Sequence, residues 1–223
     1  SKLATWILKD YEDNLYLSEQ FGYFLKGFEF ERFWFSRGGI SMQANLLPSA
    51  LPYLFRDEIK HFLRAYFNAF AVSYFPDTRM MTEHALPTIG SWRGDHFKAS
   101  DEANSCYLLR LMFVREEGEI LWLGQALPRY WFKTKREFGI KNARTTFGKL
   151  SLTFLPKGDS VEVFIDPPLK KPPKAIFLRV RHPSEKPPSK IESKVPYTLK
   201  PKKELVVLPP LRKPCKIVFF YEE

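Results

Sequence analysis

The sequence KLSLTFLPKGDSVEVFID, which spans Lys149 to Asp166, decides the fold of the C-terminal part of the chain. Apolar side chains occupy every second position in two runs of this stretch. A period of two is the pattern of a strand that buries one face and exposes the other. The stretch therefore predicts two β-strands, whose buried residues are Leu150, Leu152 and Phe154 in the first and Val161, Val163 and Ile165 in the second.

Short apolar runs continue toward the C-terminus at residues 176–180, 205–208 and 217–221. The connections between them are rich in proline and lysine. At least five short strands with turn signals between them are typical of a β-sandwich. Residues 133–223 are therefore predicted to form a basic, proline-rich β-sandwich module.

A helical period precedes this module. In residues 56–75, a single stripe of apolar and aromatic side chains recurs at the spacing of an amphipathic helix. Residues 3–21 show a similar spacing. Ser100 is a suitable N-cap for a further helix, with Asp101 and Glu102 in its first turn. Residues 1–132 are therefore predicted to be a helical segment.

The distribution of charge supports a boundary between these two parts. Residues 133–223 contain 21 basic and 9 acidic residues, a net charge of +12, whereas residues 1–132 contain 14 and 16, a net charge of −2. Proline is skewed in the same direction, with 13 of 18 in the second part. Two shifts in composition at one place indicate a domain boundary between residues 126 and 145.

Several classes of protein are disfavoured by composition. Cys106 and Cys215 are the only cysteines, so there is neither a disulfide framework nor a cysteine metal motif. His84 and His96 lack the spacing of a zinc-binding helix, and no metal or other cofactor is expected. No apolar run reaches the roughly 20 residues that span a bilayer, so no membrane partner is expected. Both cytoplasmic and extracytoplasmic locations stay open.

A long irregular stretch, residues 77–99, separates two of the predicted helices. Long connections in compact domains are often functional. Saccharide sites combine a carboxylate pair with aromatic and planar polar side chains, and this stretch supplies such residues. The candidate site residues are Glu83, His84, Trp92, Arg93, Asp95 and His96.

The order of Glu83, Trp92 and Ser100-Asp101-Glu102-Ala103 resembles the last hairpin of the six-hairpin α/α toroid glycosidases, such as the glucoamylase-like enzymes. The run from Leu47 to Trp131, with the β module after it, resembles the C-terminal region of large bacterial proteins of this kind. The resemblance implies an α+β chain in two parts, in which helical hairpins from the end of a toroid precede a C-terminal β-sandwich.

The resemblance also implies an activity, the hydrolysis of glycosidic bonds in an oligo- or polysaccharide. Glu83 would be one catalytic carboxylate, and Trp92, Arg93, Asp95, His96 and His84 would bind the substrate. The second carboxylate that hydrolysis needs would lie upstream of this sequence. The chain would then be an incomplete, inactive fragment whose partner is the missing part of the same protein or a second subunit.

Clustered aromatic residues lead to the same expectation of an external partner. Phe24, Phe28, Phe30, Phe33, Trp34 and Phe35 are too many large side chains for a small helical layer to bury. Large exposed apolar patches usually mark an interface. We expect these residues to face a missing part of the protein or a second subunit.

A non-enzymatic module that binds carbohydrate or a protein partner is the alternative hypothesis. Glu83 would then pair with Arg79 or Arg93, and Asp101 and Glu102 would interact with their helix dipole. The basic residues of the β module lack the interleaved aromatic residues of a nucleic-acid platform, so nucleic acid is not expected as a partner. Binding of an anionic polysaccharide uses the same charges and is favoured over nucleic acid.

Overall fold

A computed structural model describes residues 2–11, 50–81, 84–86, 91–93 and 99–222. The chain divides into two compact units, Ser1–Leu108 and Leu109–Glu223. The predicted boundary at residues 132 and 133 stays a prediction, which limited proteolysis would test.

The N-terminal unit contains short helices and short strands. Helix α3 follows α2 directly, and the Arg56-Asp57 turn between them places Asp57 at φ +62°. The strands form two two-stranded antiparallel sheets, β1 with β2 and β3 with β4. The elements are α1 (Lys2–Tyr11), α2 (Ala50–Phe55), α3 (Ile59–Ser73), β1 (Tyr74–Phe75), β2 (Met80–Met81), β3 (His84–Leu86), β4 (Ser91–Arg93) and α4 (Ala99–Phe113), which ends in the second unit.

Helix α3 confirms the predicted amphipathic stripe. Ile59, Phe62 and Tyr66 on this stripe are buried. Tyr66 contacts Phe62 and Phe70, with ring centroids 6.4 and 6.1 Å away. Aromatic residues at intervals of three and four positions lie on one helix face, which explains the row of rings.

The C-terminal unit consists of two five-stranded sheets. The first sheet has the order β12-β13-β10-β6-β5, and its β6 and β10 are parallel. The second sheet has the order β11-β14-β9-β8-β7 and is antiparallel throughout. The strands are β5 (Val114–Glu117), β6 (Ile120–Leu123), β7 (Phe138–Thr145), β8 (Gly148–Pro156), β9 (Ser160–Asp166), β10 (Ala175–Arg179), β11 (Lys190–Ser193), β12 (Thr198–Lys200), β13 (Leu205–Leu208) and β14 (Cys215–Phe220).

The two sheets share a core built by the alternating residues. Phe154 at the centre of β8 is fully buried and contacts Phe138 and Phe132, with ring centroids 5.4 and 5.7 Å away. The apolar residues predicted to be buried in β8 and β9 are at most 1% exposed. The predicted strands at 149–166, 176–180, 205–208 and 217–221 are therefore confirmed as local structure.

The predicted arrangement of toroid hairpins followed by a sandwich is wrong, and the resemblance to six-hairpin glycosidases fails with it. The described residues contain four short helices, of 6 to 15 residues, and no paired hairpins of a toroid. Strands are frequent in the segment assigned to helices, and β5 and β6 belong to the first five-stranded sheet.

Gly118 forms the turn of the hairpin that follows the end of α4 at Phe113. It has φ +57° and begins the two-residue turn between Glu117 and Ile120. A positive φ at the first turn position is what type II′ hairpins require of glycine. The turn folds β6 back on β5, and the parallel partner β10 then completes the pairing of β6, which no local pattern reveals.

The cluster of aromatic residues from Phe24 to Phe35 lies outside the described residues. So does the part of the first predicted helix beyond Tyr11. The expected interface at those aromatic side chains stays a prediction.

Candidate functional site

An open groove of about 1090 Å³ lies at one end of the C-terminal unit. Its walls are the connection 194–197, between β11 and β12, and the connection 209–214, between β13 and β14. The floor is formed by residues of β11 and β14. The lining residues are Ile191, Glu192, Ser193, Lys194, Val195, Pro196, Pro209, Pro210, Leu211, Arg212, Lys213, Pro214, Cys215, Lys216 and Val218.

Strand registers bring these connections together. Ser193 is opposite Ile217, and Thr198 is opposite Val207, so the connections at 194–197 and 209–214 lie at the same end of the two sheets. Both link one sheet to the other. Because β11 neighbours β14 and β12 neighbours β13, the two connections run side by side with the groove between them.

The groove is strongly cationic. Lys194, Arg212, Lys213 and Lys216 line it and are exposed. Glu192 is the only carboxylate among the lining residues, and its Oε1 is 2.6 Å from Lys190 Nζ. Positive charge in a concave surface raises the local concentration of anions.

The walls of the groove are preorganised. Four prolines, at positions 196, 209, 210 and 214, restrict the backbone of both connections. Leu211 is buried and anchors one wall in the core. In the other wall, the Ser193 hydroxyl donates to the carbonyl of Val195 at 2.8 Å and accepts from the Val195 N–H at 3.0 Å. A rigid site loses little conformational entropy on binding.

Lys216 joins the groove to the outward face of the second sheet. Its Nζ is 2.9 Å from Glu162 Oε1 and 5.4 Å from the ring centroid of Phe164. Lys157 Nζ is 2.6 Å from the same carboxylate oxygen. Hydrogen bonds from Lys157 and Lys216 hold the pKa of Glu162 below its ordinary value, so this carboxylate is ionised and paired.

Cys215 is the thiol of the groove. It is half-buried, and burial raises its pKa. A raised pKa lowers the thiolate fraction that reacts as a nucleophile. The groove therefore offers no activated thiol for covalent chemistry.

A second polar cluster lies at the opposite end of the same unit. Arg129 forms a bidentate pair with Glu204, with distances of 2.9 Å (Nη1 to Oε1) and 2.6 Å (Nη2 to Oε2). The imidazole of His182 is bonded to the Ser184 hydroxyl at 2.8 Å and to the Gly158 carbonyl at 3.0 Å, and it stacks on Tyr221. Arg129 also donates to the carbonyl of His182, which connects the two parts of the cluster and gives it a structural role.

The third polar cluster surrounds Trp122 on the first sheet. The indole N–H of Trp122 and one nitrogen of Arg115 both donate to Glu117 Oε2 at 2.8 Å. Arg115 Nε also donates to Gln125 Oε1 at 2.6 Å. Arg115 is only 3% exposed, and its partner Glu117 is 56% exposed. The exposed carboxylate is thus occupied by hydrogen bonds from two buried side chains.

The sequence-predicted site residues fall in the N-terminal unit. Glu83, Asp95 and His96 lie outside the described residues, and their roles stay predictions. His84 is paired with Arg93 across the β3–β4 ladder.

Trp92 is opposite Ala85 in the same β3–β4 ladder. Asp101 is fully buried in α4, and Glu102 Oε1 accepts a hydrogen bond from the Met81 N–H at 3.4 Å. The burial of Asp101 and the hydrogen bond accepted by Glu102 therefore indicate structural roles for both carboxylates.

Sequence reasoning missed the groove. Arg212 and Lys213 belong to the basic residues of the β module, and the sequence alone does not assign them to a site. A sharper signal was present, because the connections 194–197 and 209–214 contain three cations and no carboxylate. Only the strand order shows that these cations face a common cleft.

The described residues contain no group of three or more His, Cys, Asp and Glu side chains that could hold a metal ion. Within the same residues, no helix has both the length and the apolar character needed to cross a membrane. The sequence matches no protein-family model and no curated protein.

Proposed function

We propose that this protein is a non-enzymatic binding module whose C-terminal unit binds an anionic polysaccharide in the cationic groove. The observation that supports the proposal is the groove itself. Lys194, Arg212 and Lys213 line it beside Lys216, which is paired with Glu162, and its single lining carboxylate is already paired with Lys190. Its volume of about 1090 Å³ is slightly above the roughly 300–1,000 Å³ of small-molecule pockets, and an open groove of this size can hold a segment of a polymer.

The residues of the groove disfavour hydrolysis at this place. Cleavage of a glycosidic bond needs two carboxyl groups on opposite sides of the bond. The lining provides only Glu192, whose neighbour Lys190 keeps it in an ion pair. A binding role requires no such pair.

The same residues favour a polysaccharide over single-stranded nucleic acid. Proteins that bind single strands stack the bases on aromatic side chains. The residues that line the groove include no aromatic side chain. Tyr197 is the one aromatic residue of the two walls, and its hydroxyl is bonded to the Ile191 carbonyl. A polymer of charged sugars carries its negative charge without bases, so cations and backbone polar groups suffice to hold it.

An acidic peptide is also disfavoured. An extended peptide would gain most by adding a strand to the free edge of β11. That strand has four residues; Lys190 is the first of them, and Lys194 directly follows the last. Lysines on short edge strands oppose the addition of another strand. In addition, the Tyr197 hydroxyl donates to the Ile191 carbonyl at 3.4 Å.

The proposal is tested by titration of the whole chain with polygalacturonate and with heparin. Neutral dextran is the control. The double variant Arg212→Gln/Lys213→Gln should weaken anionic binding roughly 2- to 30-fold, because each exposed ion pair contributes about 0.2–1 kcal/mol. The matched control is Lys202→Gln/Lys203→Gln, which removes two exposed lysines at the opposite end of the unit.

The control variant should bind as the wild type does. Failure of the wild type to bind either anionic polysaccharide would overturn the proposal. Equal binding of dextran, or equal or tighter binding of single-stranded DNA, would remove the assignment to anionic polysaccharide.

A further inference from the structure

A third connection between the sheets lies beside the groove. Residues 167–174 link β9 to β10 and read PPLKKPPK, with three lysines and no acid. Ile165 is opposite Cys215, and Ile176 is opposite Leu208, so this connection adjoins the 209–214 wall on the side away from the groove.

The three connections therefore form a cationic end of the unit, composed of residues 167–174, 194–197 and 209–214. Together they contain six cations and no carboxylate. All six are exposed. Neighbouring strands are about 4.8 Å apart, so a long polymer in the groove meets the third connection within roughly 10 Å.

The third connection is held in one conformation. Its Lys171 N–H donates to the Phe147 carbonyl at 3.0 Å, and its Lys174 N–H donates to the Glu119 carbonyl at 2.8 Å. Gly148 packs so closely against it that an added Cβ would lie 3.1 Å from the Lys170 nitrogen. The lysines are thus presented by an ordered loop.

We propose that residues 167–174 are an extension of the binding site, over which a long anionic polysaccharide passes after it leaves the groove. This inference rests on the proposed function. Lys170 and Lys171 are the cations that contact the extended ligand, since the amine of Lys174 is already paired with Glu119. Affinity should therefore increase with ligand length until the chain reaches this connection.

The alternative for the third connection is an anionic lipid surface. Leu169, beside the two lysines, is 63% exposed, and an apolar residue with flanking lysines suits a headgroup layer. A polysaccharide is favoured because the lysines adjoin a groove of polymer dimensions, whereas a single leucine provides little insertion energy.

The test compares heparin tetrasaccharide with long-chain heparin on Lys170→Gln/Lys171→Gln. This variant should bind the long chain about 2- to 30-fold more weakly and the tetrasaccharide as tightly as the wild type does. The slope of log K against log salt concentration for the long chain should fall by about 1.4–1.8, because each cation releases roughly 0.7–0.9 counterions. Lys202→Gln/Lys203→Gln should change neither affinity nor slope.

The outcomes separate this inference from the proposed function. If Arg212→Gln/Lys213→Gln weakens binding and Lys170→Gln/Lys171→Gln does not, the extension is wrong and the groove stands. Equal loss for the tetrasaccharide and the long chain would also overturn the extension. The loop would be assigned to lipid instead if the wild type binds phosphatidylserine vesicles tightly, if Lys170→Gln/Lys171→Gln abolishes this binding, and if long-chain heparin does not displace the vesicles. If the wild type binds neither form of heparin nor polygalacturonate, both proposals fail.

Discussion

Loss of one partner of the ion pair between Arg129 and Glu204 should strongly destabilise the C-terminal unit. Glu204 follows the 3₁₀ turn Pro201–Lys203 and accepts two hydrogen bonds from Arg129. The two side chains are only 19% and 15% exposed. Arg129 also donates to the carbonyl of His182, so one guanidinium ties together three segments of the chain.

The substitution Glu204→Gln should cost about 2–3 kcal/mol of unfolding free energy. Breaking a buried pair costs about 3–5 kcal/mol, because the remaining charge lacks its partner. Two features reduce this value. The pair is partly exposed, and Glu185, with its Oε1 3.7 Å from Arg129 Nε, still supplies a negative charge. Glu185→Gln is the matched control and should cost about 0.5 kcal/mol or less, since Glu185 is 56% exposed.

Native-state hydrogen exchange measures this effect within the unit itself. The amides of Leu178 and Val206, which are buried in the first sheet, should exchange roughly 30- to 150-fold faster in Glu204→Gln. Polysaccharide binding at a temperature where the variant is folded should not change, because the groove lies at the other end. Wild-type protection in Glu204→Gln, or equal losses in both variants, would refute the reasoning.

Three further predictions concern pH, glycine and thiol chemistry. Burial lowers the pKa of His182, so the folded state prefers the neutral ring. The stability of the unit should therefore fall as the pH drops below about 6.5, the pKa of an unperturbed histidine. Thermal melts between about pH 7.5 and 5.5 should show this loss in the wild type and less of it in His182→Gln. Gly124→Ala should lower the free energy of unfolding in urea by well over ~1 kcal/mol, because φ is +67° and the new Cβ would lie 2.6 Å from the Arg179 carbonyl oxygen. The control Gly118→Ala, at φ +57° with nothing within 4 Å, should cost only about 1 kcal/mol. Equal costs would contradict the steric argument. Iodoacetamide should label the exposed Cys106 before Cys215, because burial raises the pKa of Cys215. In Cys106→Ser, mass spectrometry should show slow labelling of Cys215, and long-chain heparin should slow it further.

The spacing of apolar residues predicted much of the local structure. The period of two in residues 149–166 predicted β8 and β9, and the stripe from Ile59 to Phe70 predicted α3. These patterns suffice because a strand or helix with one buried face must repeat its apolar residues at its own period. The concentration of lysine and proline in the connections was equally visible from composition.

The tertiary structure alone decided the architecture and the candidate site. Residues 114–123 form a hairpin within a five-stranded sheet, in which β6 pairs in parallel with β10, more than fifty residues later in the chain. The local sequence does not show with which distant strand a strand will pair. The three cationic connections converge because strand order, not sequence distance, sets which loops are neighbours. A charge run in the sequence states how many cations are present, and only the pairing of strands determines whether they face one ligand or disperse over the surface.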